Sequence, residues 1–575
     1  MTLSFRIAID LGGAPVAQVQ AEALGLVADG VSPALHRIES SEGSGGNVLE
    51  DGQRRTIFHG HIDDLVRVSH ELGAALDRPL AELARLAFDR WGKDTSAKLP
   101  GEWVLLDVQP GAVALVQSAA RLIGVFHSRH GNLICVSSDI AALARLPWVG
   151  RELDEAGFLF ALGRASLRAH GSGQAFLRGV SKLQPGETVC FTPAGTTSTI
   201  NLPFVPVPRW EGSIVEAAME AEALLQAIID ERLERHGDVA CLLSGGLDSS
   251  LLTMLVSERL RPGQRAVCLT SVAPPGSGLA DELTHARLVA ERLGLDLVPV
   301  VPGTEPGIYR PDPMEFAAAN GPSFSVRHYL YRALADQAVA AGAAAIFDGA
   351  YGEMTVTGLM PLASPALYLR QLAKRLLGRG SSAAGASPFH VRLAPHRLQD
   401  LPAQVAAAAA GQQIDPFQPR HRRDAWGYFP GVAKTLEPAS EAPDRPMLEY
   451  PFRDPRLLQM FAGFPAKFLV HEGLNRSIAR IMMAGRLPDA IRLRTDTMPF
   501  SPDYMARLQA EAPLARSRIA AFRKADIADW LDLDWLDTAL QRFAAQGANT
   551  NDNAFEVQLT AMAAEFLLWW RSGGG

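Results

Sequence analysis

The seven residues from Ser244 to Ser250 combine the side chains and the backbone freedom that a phosphate-binding turn needs. They read Ser-Gly-Gly-Leu-Asp-Ser-Ser and stand between a short apolar run and a helical stretch. Glycines let a backbone turn sharply and approach a ligand closely, and N–H groups at a helix start, with serine hydroxyls, bind phosphate oxygens. The carboxylate of Asp248 would repel bare phosphate, which predicts a divalent metal between the two. No Walker Gly-Lys-Ser/Thr string occurs, so a P-loop nucleotidase is excluded.

Alternating strands and helices are the elements that must position this turn. From Gly212 onward, apolar runs alternate with helical stretches, which predicts a doubly wound parallel sheet. The predicted strands are Asp238–Leu243, Ala266–Val272, Leu297–Val301 and Ala343–Phe347, and the predicted helices are Ile214–Glu234, Leu247–Arg259, Leu283–Leu293 and Val326–Gly342. Ligands of such sheets bind at the carboxyl ends of the strands, so the turns after Leu243, Val272 and Phe347 are expected to form the site.

The rest of the chain has a different texture. Residues 1–205 carry short β-branched runs with interspersed helices, and a proline-rich stretch, Asn201–Trp210, is typical of a linker. We therefore predict two domains, 1–205 and 206–575. Within the second, residues 360–445 are basic and contain the flexible composition Gly380–Gly385. That segment is either a solvated helical insertion or a basic lid or docking surface for an acidic partner.

Composition excludes several classes of protein. The chain has 55 Lys and Arg against 62 Asp and Glu, a net charge of -7, which argues against a nucleic-acid-coating protein. Its four cysteines show no CxxC spacing, which excludes a disulfide scaffold and a cysteine-rich zinc site. The first residues lack the features of a signal peptide, and no run of about 20 residues is free of charge. We expect a soluble, cytoplasmic protein without a membrane span or a nucleic-acid partner.

The turn resembles the pyrophosphate loop of the asparagine synthetase and β-lactam synthetase group of N-type ATP pyrophosphatases. Further segments resemble the family's acidic pair, its second glycine-rich turn, its Pro-Phe-x-Asp segment and its closing helices: Asp281-Glu282 with Ala286 and Ala290, Phe347–Glu353, Tyr450–Asp454, and Arg476, Arg480, Leu487-Pro488 and Arg494. Upstream, Arg178–Glu187 resembles the end of a class II glutamine amidotransferase-like domain, an α+β sandwich.

The resemblance implies ATP and Mg²⁺ as cofactors and a set of site residues. Asp248 and Glu353 would hold the metal, and Tyr351 with Glu437 would deprotonate an attacking amine. The expected nucleotide contacts are Leu242, Ser244, Gly245, Gly246, Leu247, Asp248, Ser249, Ser250, Val272, Asp348 and Gly349. The implied reaction adenylates a carboxylate, releases pyrophosphate and transfers the acyl group to an amine.

Three departures from the family bear on the function and the catalysis. Glutamine-using members carry a cysteine directly after the initiator Met, where this chain has Thr2 and no cysteine before Cys135. The amine is then expected from the substrate itself, as in lasso-peptide macrocyclases, which implies a precursor peptide and a leader-binding protease as partners. Glu353 replaces an aspartate, and the family's closing-loop lysine is absent from Arg494-Thr495-Asp496-Thr497. Either another cation substitutes for it, Arg492, Arg494 or Lys467, or the activity is reduced.

Three alternatives to the lasso-peptide cyclase stay open. The first is an ammonia-dependent asparagine synthetase with a degenerate amidotransferase half. Separately, Thr2 could act as an N-terminal nucleophile in place of the missing cysteine. The second is a small-molecule cyclase of the β-lactam synthetase kind. The third is an inactive synthetase that serves as a scaffold, a reading that rests on the absent lysine alone.

Overall fold

The computed structural model describes fourteen stretches of the chain. They are residues 4–26, 34–39, 48–120, 124–164, 167, 171, 173–201, 209–305, 307–322, 325–357, 387–410, 445–496, 498–546 and 554–574. Thr2, Glu437 and Thr497 lie outside the described residues, as does most of the predicted 360–445 insertion. Within the described residues, no helix is both long and apolar enough to cross a membrane.

The N-terminal part is a sandwich of two antiparallel sheets. In spatial order, the first sheet contains Ala34–Glu39, Ser4–Asp10, Leu133–Ser137, Phe126–His130 and Ser181–Lys182, and the second contains Gly195–Ile200, Glu187–Thr192, Ala112–Gln117, Gly101–Gln109, Arg54–Ile62 and Val48–Asp51. Alternate residues of the two sheets face each other, so Ile7 and Ile9 share one apolar core with Leu106 and Leu115. The predicted α+β sandwich is confirmed.

Helices cover both outer faces of the sandwich. The second sheet packs through Phe58 and Trp103 against two helices, Leu65–Leu72 and Leu80–Trp91. The first sheet turns its outer face toward short helices and toward the C-terminal helices. Further helices of this part are Gln18–Ala23, Thr95–Lys98, Ile140–Leu143 and Glu155–Ala161.

The C-terminal part is built on a five-stranded parallel sheet. Its strands, in spatial order, are Asp296–Val300, Ala266–Ser271, Val239–Leu242, Ala345–Phe347 and Met447–Glu449. Val239 and Cys241 point into one apolar cluster, whereas Ala240 and Leu242 point into another. Because a strand in a doubly wound sheet is buried on both faces, this alternation places helices on both sides. The predicted fold class is confirmed.

Different sets of helices cover the two faces of the parallel sheet. One face is covered by Ile214–Leu233, Leu247–Arg259, Leu283–Leu293 and Ser477–Met482, and the other by His328–Ala340. The remaining helices of this part are Pro313–Ala319, Pro395–Gln399, Ala403–Ala410, Pro455–Gly463, Asp489–Arg492, Tyr504–Ser517, Ile519–Lys524, Leu533–Gln546 and Ala554–Arg571. The helices Leu247–Arg259 and Leu283–Leu293, which begin next to two of the predicted turns, therefore start at the carboxyl edge of the sheet on the same face, and His328–Ala340 lies on the opposite face.

The C-terminal helices pack onto the N-terminal part. Trp570 lies against Phe176 with ring centroids 5.1 Å apart, and the guanidinium carbon of Arg151 lies 3.9 Å from the Trp570 ring centroid. The largest apolar cluster contains residues from both sides of position 205. The two parts thus share a core, and the predicted domain boundary stays a prediction.

A buried ion cluster also joins the two parts. Arg232 forms an ion pair with Glu449 and lies 3.9 Å from Glu102 of the N-terminal sandwich, while His236 lies 2.8 Å from Glu449. Burial alone would raise the pKa of Glu449, but the charges of Arg232 and Arg235 lower that pKa well below its ordinary range. Because Glu449 ends an edge strand of the parallel sheet, this cluster anchors the strand to the N-terminal part.

Removing one partner of this cluster should destabilise the protein strongly. Arg232→Met would leave the Glu449 charge buried without its main partner, a change that costs about 3–5 kcal/mol in comparable sites. We expect a lower urea midpoint by circular dichroism. The control is Arg265→Met, which removes an ion pair to Asp238 from a guanidinium that is 80% exposed. Equal midpoints for the two variants would contradict the anchoring role of Arg232.

Candidate functional site

A cavity of about 730 Å³ lies at the carboxyl edge of the parallel sheet. This size is within the range of sites that enclose a whole small ligand. The predicted residues that line it are Leu242, Ser244, Gly246, Leu247, Asp248, Ser249, Asp348, Gly349 and Glu353. Most of the residues predicted to bind the nucleotide and the metal are therefore brought together around one space.

Serine hydroxyls fix the shape of the first turn. The Ser249 hydroxyl accepts a hydrogen bond from the Ser244 N–H at 3.2 Å, and the Ser244 hydroxyl accepts one from the Gly246 N–H at 3.2 Å. The helix begins at Leu247, so the N–H groups of its first turn have no partner within the helix. A turn of this kind offers donors and the positive end of a helix dipole to an anion.

Gly245 is required where the first turn meets the next helix. Its φ of +74° is in the left-handed region, and a Cβ there would lie 2.4 Å from the Cβ of His285. The carbonyl of Gly245 accepts a hydrogen bond from Arg494 at 3.2 Å. Gly245 therefore shapes the turn through its backbone and does not line the cavity.

The second turn lies directly against the first. A Cβ on Gly349 would lie 2.9 Å from the Ser249 nitrogen, and a Cβ on Gly352 would lie 2.0 Å from Oδ1 of Asp248. Only glycine fits at either position with this spacing. The approach brings together the two turns that carry Asp248, Asp348 and Glu353, and all three residues line the cavity.

Asp248 is held by its neighbours in a partly desolvated position. Its carboxylate accepts a hydrogen bond from the Thr357 hydroxyl, and Oδ2 lies 3.7 Å from Nη1 of Arg476. Burial raises the pKa of Asp248 to about 6, although the Thr357 hydrogen bond and the Arg476 charge act to lower it, and the charge of Glu353 adds to the rise. The carboxylate is thus poised to gain from a nearby cation.

Asp348 has the same electrostatic character on the opposite turn. One oxygen accepts a hydrogen bond from the Ala350 N–H at 2.9 Å, and the other accepts one from the Tyr331 hydroxyl at 3.3 Å. Burial raises the pKa of Asp348 to about 6, and the charge of Glu353 contributes to that rise. Its backbone N–H donates to the carbonyl of Glu449 at 2.9 Å, which ties this carboxylate to the buried ion cluster.

These carboxylates fit Mg²⁺ bound together with phosphate. Within the described residues, no three His, Cys, Asp or Glu side chains form a cluster that would hold a metal by themselves. Mg²⁺ commonly takes one or two carboxylates and completes its shell with water and substrate phosphates. Asp248 and Asp348, whose desolvated charges lack a full complement of cations, meet this requirement; the predicted ligand pair Asp248 and Glu353 stays a prediction.

Tyr351 occupies a different place from the other predicted residues. Its side chain is 2% exposed and packs against the Tyr450 ring, with the Arg453 guanidinium carbon 5.9 Å from its centroid. It is not among the residues that line the cavity. Its φ of +71° is strained for a non-glycine residue, and such strain tends to occur at functional turns.

Two further predicted contacts lie beneath the cavity surface. The Ser250 side chain is fully buried in its helix. Val272 is 7% exposed, and its N–H donates to the Val300 carbonyl at 3.0 Å. Neither residue lines the cavity.

Arg494 is the closing-loop cation that reaches the site, and it is fully engaged. Its guanidinium donates two hydrogen bonds to Glu282, at 2.5 and 3.0 Å, and a third to Asp496 at 3.0 Å. Arg492 and Lys467, the other predicted substitutes for the lysine, do not line the cavity. The bidentate ion pair of Arg494 with Glu282 therefore holds the closing loop against the first turn.

The sequence analysis missed Arg327 and Tyr331, which both line the cavity. They are four residues apart at the start of the helix His328–Ala340, which precedes the strand ending at Phe347. Residues at this spacing share a helix face. A helix that precedes a parallel strand begins at the carboxyl edge of the sheet. The four-residue spacing of Arg327 and Tyr331 at the start of that helix could therefore have indicated that both residues face the site.

The described cysteines of the N-terminal part have the properties of structural thiols. Cys135 is buried in its strand, and burial raises the pKa of its thiol to about 12. Burial also raises the pKa of Cys190. Because the thiolate is the nucleophile, neither thiol is activated for glutamine hydrolysis.

Comparison with known proteins identifies a matching family and a curated relative. The family model described as asparagine synthase matches residues 220–425 and 447–571. An amidase from Gibberella zeae, named amidase chry2, is 25% identical over 275 residues, which cover 43% of this chain and 39% of the relative. The chain thus spans well under half the length of that curated relative.

Two solved structures overlap this chain only weakly. One is a glutamine phosphoribosylpyrophosphate amidotransferase from B. subtilis complexed with ADP and GMP, 11% identical, covering 60% of this chain and 75% of that chain at a TM-score of 0.24. The other is an allosteric regulatory enzyme of purine biosynthesis, 13% identical, covering 53% and 61% at a TM-score of 0.24. Superpositions this weak support no inference about this chain.

The contact between the two turns predicts the effect of one added methyl group. Gly352→Ala would force the Asp248 carboxylate out of its position, so we expect at least about tenfold weaker Mg²⁺-dependent binding of an ATP analogue by calorimetry, since one lost charge-assisted contact is worth about 1.5–3 kcal/mol. The control is Gly237→Ala, where the added Cβ meets no atom within 4 Å. Unchanged affinity in Gly352→Ala would show that the turns tolerate separation.

The raised carboxylate pKa values predict a pH dependence of the same binding. Asp248 and Asp348 lose their negative charges as the pH falls through about 6, and a metal binds the ionised form. Corrected for protonation of the nucleotide, Mg²⁺-dependent affinity should fall about tenfold for each required carboxylate between pH 7 and pH 5. Titrations without Mg²⁺ serve as the reference, and a flat profile would exclude both carboxylates as metal ligands.

Proposed function

This chain belongs to the asparagine synthase family, a family of ATP-dependent amide-forming ligases, and from that membership we propose that it activates a carboxylate with ATP and couples it to an amine. The observation that carries the proposal is the contact of the two turns. It places Asp248 and Asp348 on the same cavity as the serine-rich helix start. Donors for phosphate and acceptors for a metal then face one bound nucleotide.

The proposed chemistry has two balanced steps. An oxygen of the substrate carboxylate attacks the α-phosphorus of ATP, the bond to the β-phosphate oxygen breaks, and pyrophosphate leaves. The amine then attacks the acyl carbon, AMP leaves, and the amine loses a proton. In the first step, the helix start and the turn hydroxyls bind the departing pyrophosphate. Mg²⁺ would be held by Asp248 and Asp348 and would supply charge neutralisation.

We propose that the amine belongs to the substrate. A cysteine-dependent supply of ammonia from glutamine would need an activated thiol, and the described N-terminal thiols are protonated at neutral pH because burial raises their pKa values. An amine and a carboxylate in one substrate give a ring. The specific proposal is a lasso-peptide cyclase that joins the N-terminal amine of a precursor core peptide to an Asp or Glu side chain, after a leader-binding protease has released the core.

The base for the second step is proposed as Tyr351 with Glu437. Tyr351 is on the turn that carries Asp348 and Glu353, which supports a role near the reacting amine. Its 2% exposure means that the ring would have to be uncovered by substrate or loop movement. A Tyr351→Phe variant that keeps pyrophosphate exchange but loses amide formation would support this assignment.

Mass spectrometry tests the specific proposal. Cells that co-express this chain with the genes for its precursor peptide and protease should yield a core peptide lighter by one water and resistant to carboxypeptidase. Asp248→Asn should lower the yield by about 10²–10³-fold, because a metal contact supplies several kcal/mol of charge stabilisation. Asp238→Asn, at the opposite edge of the same sheet, is the matched control.

Each other outcome selects a different function. An unmodified peptide combined with AMP release from aspartate and ammonium indicates an asparagine synthetase. AMP release with a carboxyethyl-amino acid indicates a small-molecule cyclase. No AMP release with any of these carboxylates contradicts the ligase proposal and favours a scaffold.

A further inference from the structure

Four arginines line the described part of the cavity, and the guanidinium groups of three of them are already engaged by carboxylates or backbone carbonyls. Arg494 pairs with Glu282 and Asp496, and Arg476 pairs with Asp248. Arg480 donates to backbone carbonyls, among them those of Asn475 and Arg494 at 2.6 and 2.8 Å. These three guanidinium groups hold the site together and have little capacity for an added anion.

Arg327 differs from the other three. Its guanidinium carbon lies 5.9 Å from the centroid of the Phe500 ring. The Nε atom of Arg327 is buried and has no hydrogen-bond partner among the described residues. The guanidinium forms no ion pair with any described carboxylate. A cation–π contact of this kind does not neutralise a charge. Arg327 is therefore the cavity cation with unused capacity for an anion.

Arg327 and the phosphate-binding turn belong to helices on opposite faces of the parallel sheet. Arg327 caps the helix His328–Ala340, whereas Asp248 is on the helix Leu247–Arg259, and these helices pack on opposite faces of the sheet. Beside Arg327 the wall contains the Tyr331 and Phe500 rings, whose centroids lie 5.8 Å apart. This side of the cavity combines one cation with an apolar surface.

We infer that Arg327 binds the substrate carboxylate that is to be activated. This inference rests on the proposed function and names the group that recognises the acyl substrate. Asp248, Asp348 and Glu353 would repel an approaching carboxylate, so its binding needs a cation whose hydrogen-bond donors are not already engaged. A guanidinium binds carboxylate oxygens in a bidentate manner, and the aromatic wall suits the methylene groups of an Asp or Glu side chain.

The test compares two linear peptides that differ in one group. One has a free N-terminal amine and a reacting Glu side chain, and the other carries Gln at that position. Calorimetry in the presence of Mg²⁺ and a non-hydrolysable ATP analogue gives the affinity ratio of the two. We expect the wild type to prefer the carboxylate by about 10- to 100-fold and Arg327→Met to bring the ratio close to one.

Further variants separate recognition from folding. Arg327→Lys keeps the charge without the fork and should keep part of the preference. Arg265→Met removes an exposed arginine at the opposite edge of the sheet and should keep all of it. The ATP analogue should bind Arg327→Met with less than about threefold loss, and thermal midpoints should be equal, since no described residue depends on this guanidinium for an ion pair.

Three results would overturn the inference. An unchanged carboxylate preference in Arg327→Met removes the role altogether. A loss of nucleotide affinity with the preference intact makes Arg327 a phosphate ligand. The third result concerns the wild type. If it shows neither the preference nor carboxylate-dependent pyrophosphate exchange with peptide, aspartate or a carboxyethyl-amino acid, the proposed function fails as well. If the wild type shows exchange and Arg327→Met keeps the carboxylate preference, the inference alone fails.

Discussion

The contact between the two glycine-containing turns is the constraint on which the rest of the site depends. Cys241 and Phe347 are register partners in adjacent parallel strands, so both strands deliver their chains to the same edge at nearly the same height. The turns that follow must then share one narrow space, and the missing Cβ atoms of Gly349 and Gly352 provide it. The positions of Asp248 and Asp348, and hence the proposed metal site, follow from that approach.

This arrangement stores electrostatic strain that a ligand can release. A carboxyl group whose pKa is raised from 3.8 to about 6 favours the folded state while protonated, and this contribution is lost as the pH rises through about 6. At neutral pH, each such group therefore disfavours folding by at most about 3 kcal/mol. The shared core and the Arg232–Glu449 cluster offset this cost, and a bound cation would remove it.

Local sequence signals were sufficient to predict several helices, but they were insufficient to predict which distant segments pair with each other. The helices Leu247–Arg259 and Leu283–Leu293 have the predicted bounds, because their caps and apolar periods lie within the segments themselves. The three-residue strand Met447–Glu449 was missed because so short a strand depends on pairing with a neighbour. Likewise, the pairing of Arg494 with Glu282 spans more than 200 residues, so no sequence window contains it.

Burial and ion pairing determine whether an arginine of the closing loop can take the role of the absent lysine. Arg494 stands in the closing loop, but a guanidinium that is 3% exposed and bidentate to Glu282 loses more by leaving that pair than it gains from a transient anion. Closing the loop and stabilising a reacting anion are thus separate tasks here. Arg327 approaches from the other face of the sheet without a carboxylate partner among the described residues. In the proposed function, this division lets one layer bind phosphate while the opposite layer receives the acyl group.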